Sequence, residues 1–282
     1  MDSSTTRQQA YDRGHTIFSP DGRLYQVEYA REAVERGSPS VGVVTDTGVV
    51  LAARKRLRSP LLESESIAKI HRVDDHVAVA TAGHAADARQ LVETARKRCQ
   101  RHRLRYAEPI PTGTLAEAIA DHIQEQTQAG GTRPYGAALL VAGVDAGRGR
   151  ERGRRKESES GSGSGSGSNA AGQHPRPALY EVDPGGTHYG WRATAIGNGT
   201  ADIRSFLEGR LADGDVEAEA GVGEDGLPLA LESLAAGTSE TETDTELSPE
   251  TVDALVLTPD TVADRAGAVG EEQLAEELGE LE

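Results

Sequence analysis

The spacing of apolar and polar positions along the chain predicts a series of short elements. After the turn signal Asp21-Gly22, residues Leu24, Val27, Arg31 and Val34 share one helical spacing. Two β-rich runs follow, at 40–45 and 49–53, joined by the hairpin sequence Asp46-Thr-Gly48. Residues 77–81 form another strand pattern, closed by Ala82-Gly83. Next, Ala88, Leu91, Val92, Ala95 and Cys99 occupy i, i+3, i+4, i+7 and i+11, the apolar stripe of a helix. Cys99 on that stripe reads as a core residue and not as a reactive thiol. A second helix follows Pro111-Thr112, with Leu115, Ala118, Ile119, His122 and Ile123 on one face, where His122 reads as a core histidine. Residues 136–144 are a continuous apolar strand.

The pattern stops at residue 147. Residues 147–156 are rich in Gly and Arg, and 160–168 alternate Ser and Gly. Such sequence buries too little surface to offset its ordering entropy, so 147–177 reads as a disordered loop. Strand patterns resume at 178–182 and 191–196, so the loop interrupts a sheet and does not divide domains. Ile203, Phe206, Leu207 and Leu211 make another helix face. Acidic loops at 213–226 and 237–246 flank a short helix at 229–235, and 252–257 is the last strand. Strands and helices segregate instead of alternating as βαβ, which predicts an antiparallel α+β layered fold. One domain is expected over 11–262, with a disordered segment at 1–10 and an acidic helix or tail at 263–282.

Composition then narrows the class. The 282 residues carry 46 Asp and Glu against 30 Lys and Arg. From Asp213 to Glu282 there are 21 acids and one base, Arg265, so this region carries about −20 and the remainder about +4. An acidic chain is not a general nucleic-acid binder. The longest apolar run, residues 137–144, is far short of a membrane span, and residues 1–10 have no apolar signal-peptide core. One cysteine excludes an internal disulfide and a cysteine-based zinc site. These features predict a cytoplasmic protein. Of the bases, 26 are Arg and only four are Lys, and there are two Phe. That balance fits a chain kept soluble in concentrated salt, which screens its self-repulsion.

Three segments imitate sites. His71-Arg-Val-Asp-Asp-His76 contains metal-ligand residue types, but it is expected at a turn between strands, where Asp74-Asp75 is ordinary turn chemistry. Gly197-Asn-Gly199 could hold an anion at a helix start, although a strand-to-helix turn explains it. The Arg/Gly stretch resembles RNA-binding arms yet lacks interleaved aromatics.

The stretch Tyr11-Asp-Arg13 with Phe18-Ser-Pro-Asp-Gly-Arg-Leu-Tyr-Gln-Val-Glu-Tyr-Ala-Arg-Glu-Ala33 closely resembles the signature of archaeal 20S proteasome α-type subunits. The likeness continues through Glu65-Ser-Ile-Ala-Lys-Ile70, Asp74-Asp-His76, Ala86-Asp-Ala-Arg89, Glu108-Pro-Ile-Pro111, residues 127–136 and Ala193-Thr-Ala-Ile-Gly197. It implies a four-layer αββα sandwich, the N-terminal nucleophile hydrolase fold, with a pore-side helix over residues 23–35. It also implies a structural role without cofactor or metal. Seven α subunits form an outer ring on rings of β subunits, and the β subunits carry the peptidase sites. The implied partners are other α subunits, β subunits and a ring-shaped regulatory ATPase such as the proteasome-activating nucleotidase, with neither nucleic acid nor membrane.

Residue roles carry over from the same resemblance. Tyr11, Asp12, Pro20 and Tyr29 match an inter-subunit cluster that holds the gate open. Lys69 matches the lysine of a pocket between neighbouring subunits that receives the C-terminal carboxylate of the ATPase. Gly83 matches a wall of that pocket, where bulk would block the tail, and His84 stands where leucine is usual. Ser38 falls at the catalytic threonine of β subunits and Lys69 at their catalytic lysine. Arg54 occupies the position of their carboxylate, the wrong charge, and Ser38 is internal and followed by Pro39. The rival readings are a self-processed hydrolase using Ser38 and a ring subunit whose Arg/Gly loop binds nucleic acid.

Overall fold

The computed structural model describes residues 18–19, 22–59, 61–128, 132–146, 175–212, 226–237, 247–264 and 267–279. The strands are β1 (Ser40–Val44), β2 (Val49–Arg54), β3 (Ile70–Asp74), β4 (Val77–Gly83), β5 (Ala137–Asp145), β6 (Arg176–Val182), β7 (His188–Gly190), β8 (Ala193–Ile196) and β9 (Val252–Leu257). They form two antiparallel sheets, one ordered β8-β1-β2-β9 and the other β3-β4-β5-β6-β7. Helices α2 (Ala85–Tyr106) and α3 (Thr112–Gln128) cover the five-stranded sheet. On the four-stranded sheet lie α4 (Thr200–Ala212), α5 (Leu227–Ala236) and α7 (Glu271–Gly279), while the single-turn α6 (Pro259–Ala263) follows β9. Helix α1 (Tyr25–Glu35) rests on β4 and β5 with Val27, Ala30 and Val34 buried. The four layers are those expected. Among the described residues, no helix is long and apolar enough to cross a membrane.

The strand periodicity accounts for the layers. On β4 and β5, Val77, Val79, Leu139 and Val141 face α2 and α3, whereas Ala78, Ala80, Leu140 and Ala142 face the opposite sheet. A strand covered on both sides has no polar face, which is why 136–144 reads as an unbroken apolar run. The α2 stripe is buried as its spacing requires: Ala88, Leu91, Val92, Ala95 and Cys99 all enter the core. Burial pushes the Cys99 thiol up to about 12, so it stays a protonated packing group. His122 is half-buried, with Nε2 3.2 Å from the Tyr135 hydroxyl.

Four expectations shift or sharpen. Helix α1 begins at Tyr25 and not at residue 23, because Leu24 has extended backbone. Residues 71–74 of the metal-like segment are strand β3, and only Asp75 and His76 make the turn. Asp74 Oδ1 receives Arg103 Nη2 at 2.6 Å, and His76 Nε2 bonds the Ile110 carbonyl at 2.7 Å, so these groups staple the turn to α2 and the α2–α3 connection. The loop expected over 147–177 ends earlier. Arg176 and Pro177 lie opposite Asp145 and Val144, because the long β5 strand extends its ladder past two residues of low β propensity. Residues 147–174 and 1–10 lie outside the described residues. Finally, the segment past residue 262, expected as an acidic helix or tail, is helical at Glu271–Gly279 and packs on the four-stranded sheet. Val256 N–H donates to Gly267 O and Val269 N–H to Ala254 O, and α7 buries Leu274 and Leu278 in the core of the four-stranded sheet.

That burial makes α7 part of the fold's stability, acidic as it is. Leu274→Ala is expected to cost about 2–4 kcal/mol through lost burial and a residual cavity. Urea unfolding in molar salt, with an unchanged slope, checks it.

Candidate functional site

The link from α1 to β1 is tied from several sides. Asn198 N–H donates to Gly37 O at 2.7 Å, and Arg54 N–H donates to Pro39 O at 3.0 Å. Gly197, with φ +100°, sits so close to the link that a side chain there would come within 2.8 Å of Ser38 O. The Gly-x-Gly segment is therefore a strand-to-helix turn whose middle amide is spent on the link. From the other side, Lys69 Nζ donates to the Ser38 carbonyl, to Ser38 Oγ at 2.9 Å and to Pro39 O at 3.3 Å. These three bonds match the donors of one ammonium.

Lys69 is itself fixed from behind. Its N–H donates to Asp253 Oδ2 at 3.0 Å, and its carbonyl accepts from the Thr81 amide and hydroxyl at 3.0 and 3.2 Å. The other Asp253 oxygen is 3.0 Å from Lys55 Nζ. The Lys69 side chain is buried, and burial lowers its pKa from 10.5 to about 7, with the Asp253 charge opposing the shift.

Ser38 and Lys69, paired by resemblance, are thus in hydrogen-bond contact. Among the described residues, the remaining parts of a hydrolase are not assembled around them. The Ser38 nitrogen is in peptide linkage with Gly37, Arg54 is a buried cation, and the Asp253 carboxylate is spent on Lys55 and the Lys69 amide.

Lys69, Gly83 and His84 line one open groove of about 760 Å³. Arg36, Arg56, Arg58 and Arg89 line it too, and reading the sequence alone misses them. Their signal is the run Arg54-Lys-Arg-Leu-Arg58, which stands out only as a local share of the chain's bases. Among the described residues no acidic side chain lines the groove, and the rings that do are the imidazoles of His71 and His84. Helix α2 starts at its wall with Ala85 and Ala86, and its N-cap residue His84 makes no side-chain cap bond. The His84 ring is 58% exposed, with Nδ1 3.4 Å from Asp87 Oδ1. Cations, a helix N-terminus and small apolar walls together suit an anionic ligand.

Asp87 holds this wall in place. It receives Arg133 Nη1 and Nη2 at 2.5 and 2.7 Å and the Gly136 amide at 2.8 Å. Burial alone would raise its pKa, yet the Arg133 and Gly136 bonds hold it below 3.8. Because the folded pKa is the lower one, this stabilisation is complete above pH 3.8 and is lost as pH falls through the folded value. Asp87→Asn keeps an acceptor for Gly136 but removes the ion pair, so a loss of about 1–2 kcal/mol is expected at neutral pH. The difference from wild type should vanish in acid, as urea titrations across pH would read.

On α1, Tyr29 is 48% exposed. Nearby, Arg23 pairs with Glu28 at 2.6 Å, and Arg31 reaches Asp183 at 2.7 Å. Tyr11, Asp12 and Pro20, the other residues of the gate cluster, lie outside the described residues.

Two family profiles match the chain. The profile of proteasome subunits covers residues 34–152 and 165–245, and the profile of the N-terminal signature of A-type proteasome subunits covers 11–33. Proteasome α subunit 2 of Haloarcula marismortui is 47% identical over 276 residues, 98% of this chain and 96% of that one. The proteasome α subunit of Natronomonas pharaonis is 47% identical over 90% of this chain and 85% of its own length. The Halobacterium salinarum protein of the same name is 47% identical over 95% and 90%.

Proposed function

The chain belongs to the proteasome subunit family as an α-type member, and on that premise we propose that it forms the outer heptameric ring of a 20S core, gates substrate entry and docks a regulatory ATPase. The observation that carries the docking part is the convergence of Lys69, Gly83 and His84 on one groove that, among the described residues, no acidic side chain lines. A C-terminal carboxylate entering there meets the first amides of α2, with the buried Lys69 charge held behind them on Ser38 and Pro39. The role is structural, since Ser38 has neither a free amine nor a carboxylate to activate it. Exposed Tyr29 on α1 supports the gating part, as the one described member of the cluster with Tyr11, Asp12 and Pro20.

Native mass spectrometry of the full chain co-expressed with a proteasome β subunit tests this in high salt. A seven-membered α ring stacked on β rings is expected. A monomer unable to join β would overturn the reading. The acidic composition adds a dependence on salt. With a formal net charge of −16 per subunit, copies packed side by side repel unless the charge is screened within a few ångströms. The ring is expected to dissociate in dilute buffer, and equal sedimentation profiles in molar and millimolar salt would contradict that.

A further inference from the structure

A second, smaller cavity is lined by the edge strand β9, the approach to β3 and the segment that opens α7. Its volume is about 290 Å³, close to the lower bound of about 300 Å³ for small-molecule sites. Much of its wall is apolar, with Ile67, Ile70, Val252 and Leu274 among the lining residues. The buried exception is Lys55, which is 8% exposed. Among the described residues, the Lys55 ammonium has one side-chain partner, Asp253 Oδ1 at 3.0 Å. An ammonium carries three donors, so two are left over. The Asp253 charge also acts on buried Lys69, so two buried cations share one carboxylate. Glu65 and Glu271 line the cavity as well, but both are exposed and stand on its solvent side.

We propose that this cavity binds a small monocarboxylate with an apolar tail, its head on Lys55 and its tail against Ile67, Ile70 and Leu274. The two unspent donors match the two oxygens of one carboxylate, and a bond between charged partners is stronger than one to a neutral carbonyl. The apolar wall rewards a tail, because each methylene taken out of water favours binding by about fourfold. An amine-headed ligand would meet Lys55 as a like charge. Glu65 and Glu271 narrow the class further. They repel a polyanion at the entrance, whereas in molar salt, with a screening length of about 3 Å, they act little on a monoanion already seated at Lys55.

The test is a ligand-detected NMR titration of the full-length chain, co-expressed with a proteasome β subunit, in molar potassium chloride at neutral pH. The probes are hexanoate, hexanamide with the same tail and a neutral head, and acetate with the same head and no tail. Hexanoate is expected to bind about tenfold tighter or more than hexanamide, through the charge on its head. It should exceed acetate by at least about tenfold, through burial of its methylenes. Lys55→Met should bring hexanoate to the affinity of hexanamide. Should that variant fail to fold with Asp253 unpaired, Ala268→Trp decides the matter. Ala268 is an exposed lining residue, so the bulkier ring fills the cavity while leaving the Lys55–Asp253 pair in place, and hexanoate binding should be lost. Equal affinities for hexanoate and hexanamide would overturn the role of Lys55, and equal affinities for hexanoate and acetate would overturn the apolar tail. Hexanoate binding that survives Ala268→Trp would overturn the site. No binding of hexanoate at millimolar concentration would overturn the proposal as a whole.

Discussion

Replacing Lys69 with Met is expected to weaken binding of a free-acid tail peptide by about 10-fold, through the loss of a buried positive charge whose own donors are held by Ser38 and Pro39. The wild-type protein should show part of the same loss with pH alone. Burial lowers the Lys69 pKa to about 7, so the groove loses this charge as pH rises through that value. Tail affinity should therefore fall between about pH 6 and 8 in wild type. In Lys69→Met affinity should be low, and the part of the pH dependence owed to Lys69 should be gone, leaving only what His71 and His84 on the same groove contribute. Stability moves the other way. The folded pKa of about 7 lies below the unfolded 10.5, so between those values the unfolded chain binds more protons than the native one. Unfolding free energy from this group rises with pH across that window and is lowest below pH 7. Opposite slopes of binding and stability in wild type, each losing its Lys69 part in Lys69→Met, would identify Lys69 as the common cause. Fluorescence anisotropy and urea unfolding over the same pH series read them. A tail affinity that does not change across neutral pH would exclude the Lys69 charge from tail binding.

Gly83→Ala should damage the fold before it touches docking. Gly83 has φ +99°, and a Cβ there would lie 2.3 Å from Gly136 O and 3.1 Å from Ala137 Cα. The neighbouring strand cannot yield, because Gly83 is paired with Ala137 in the β4–β5 ladder and His84 N–H donates to Gly136 O. Left-handed backbone costs about 1–2 kcal/mol for a residue with a Cβ. Overpacking adds about 1–3 kcal/mol. A loss of several kcal/mol and a clear drop in Tm are expected. The family reading of this position as a pocket wall closed by bulk is thus incomplete, since the glycine is required first by the close approach of Gly136. His84→Leu is the better probe of the wall, because its ring is 58% exposed and makes no cap bond. A Gly83→Ala protein as stable as wild type would show that β4 and β5 separate at this end.

The layers were legible in the sequence because burial on two faces leaves a strong trace. The run at 136–144 and the stripe from Ala88 to Cys99 each stated their element without help from elsewhere. Strand β3 was harder. Its His71, Arg72 and Asp74 are polar because it is the edge strand of its sheet and packs only Val73 fully, so the segment read as turn chemistry. Ladder extension hid the start of β6, since Arg176 and Pro177 are strand residues only by virtue of β5 beside them. The groove was half legible. Lys69, Gly83 and His84 came from resemblance. The Lys69–Ser38 contact joins residues 31 positions apart, and no local spacing encodes such a meeting. Arg36, Arg58 and Arg89 were visible as residues but not as neighbours, because three separate elements bring them together.

The hydrogen bonds on the α1–β1 link also have a mechanical meaning. Gly37 is gripped by the Asn198 amide, Ser38 by the Lys69 ammonium, and Pro39 by Lys69 and the Arg54 amide, so three successive residues lack slack. A helix attached through such a link, and resting on β4 and β5 along its length, is not a swinging arm. Its base is bolted to the same lysine that faces the groove, so load on that lysine reaches the helix as displacement and is not absorbed by a hinge.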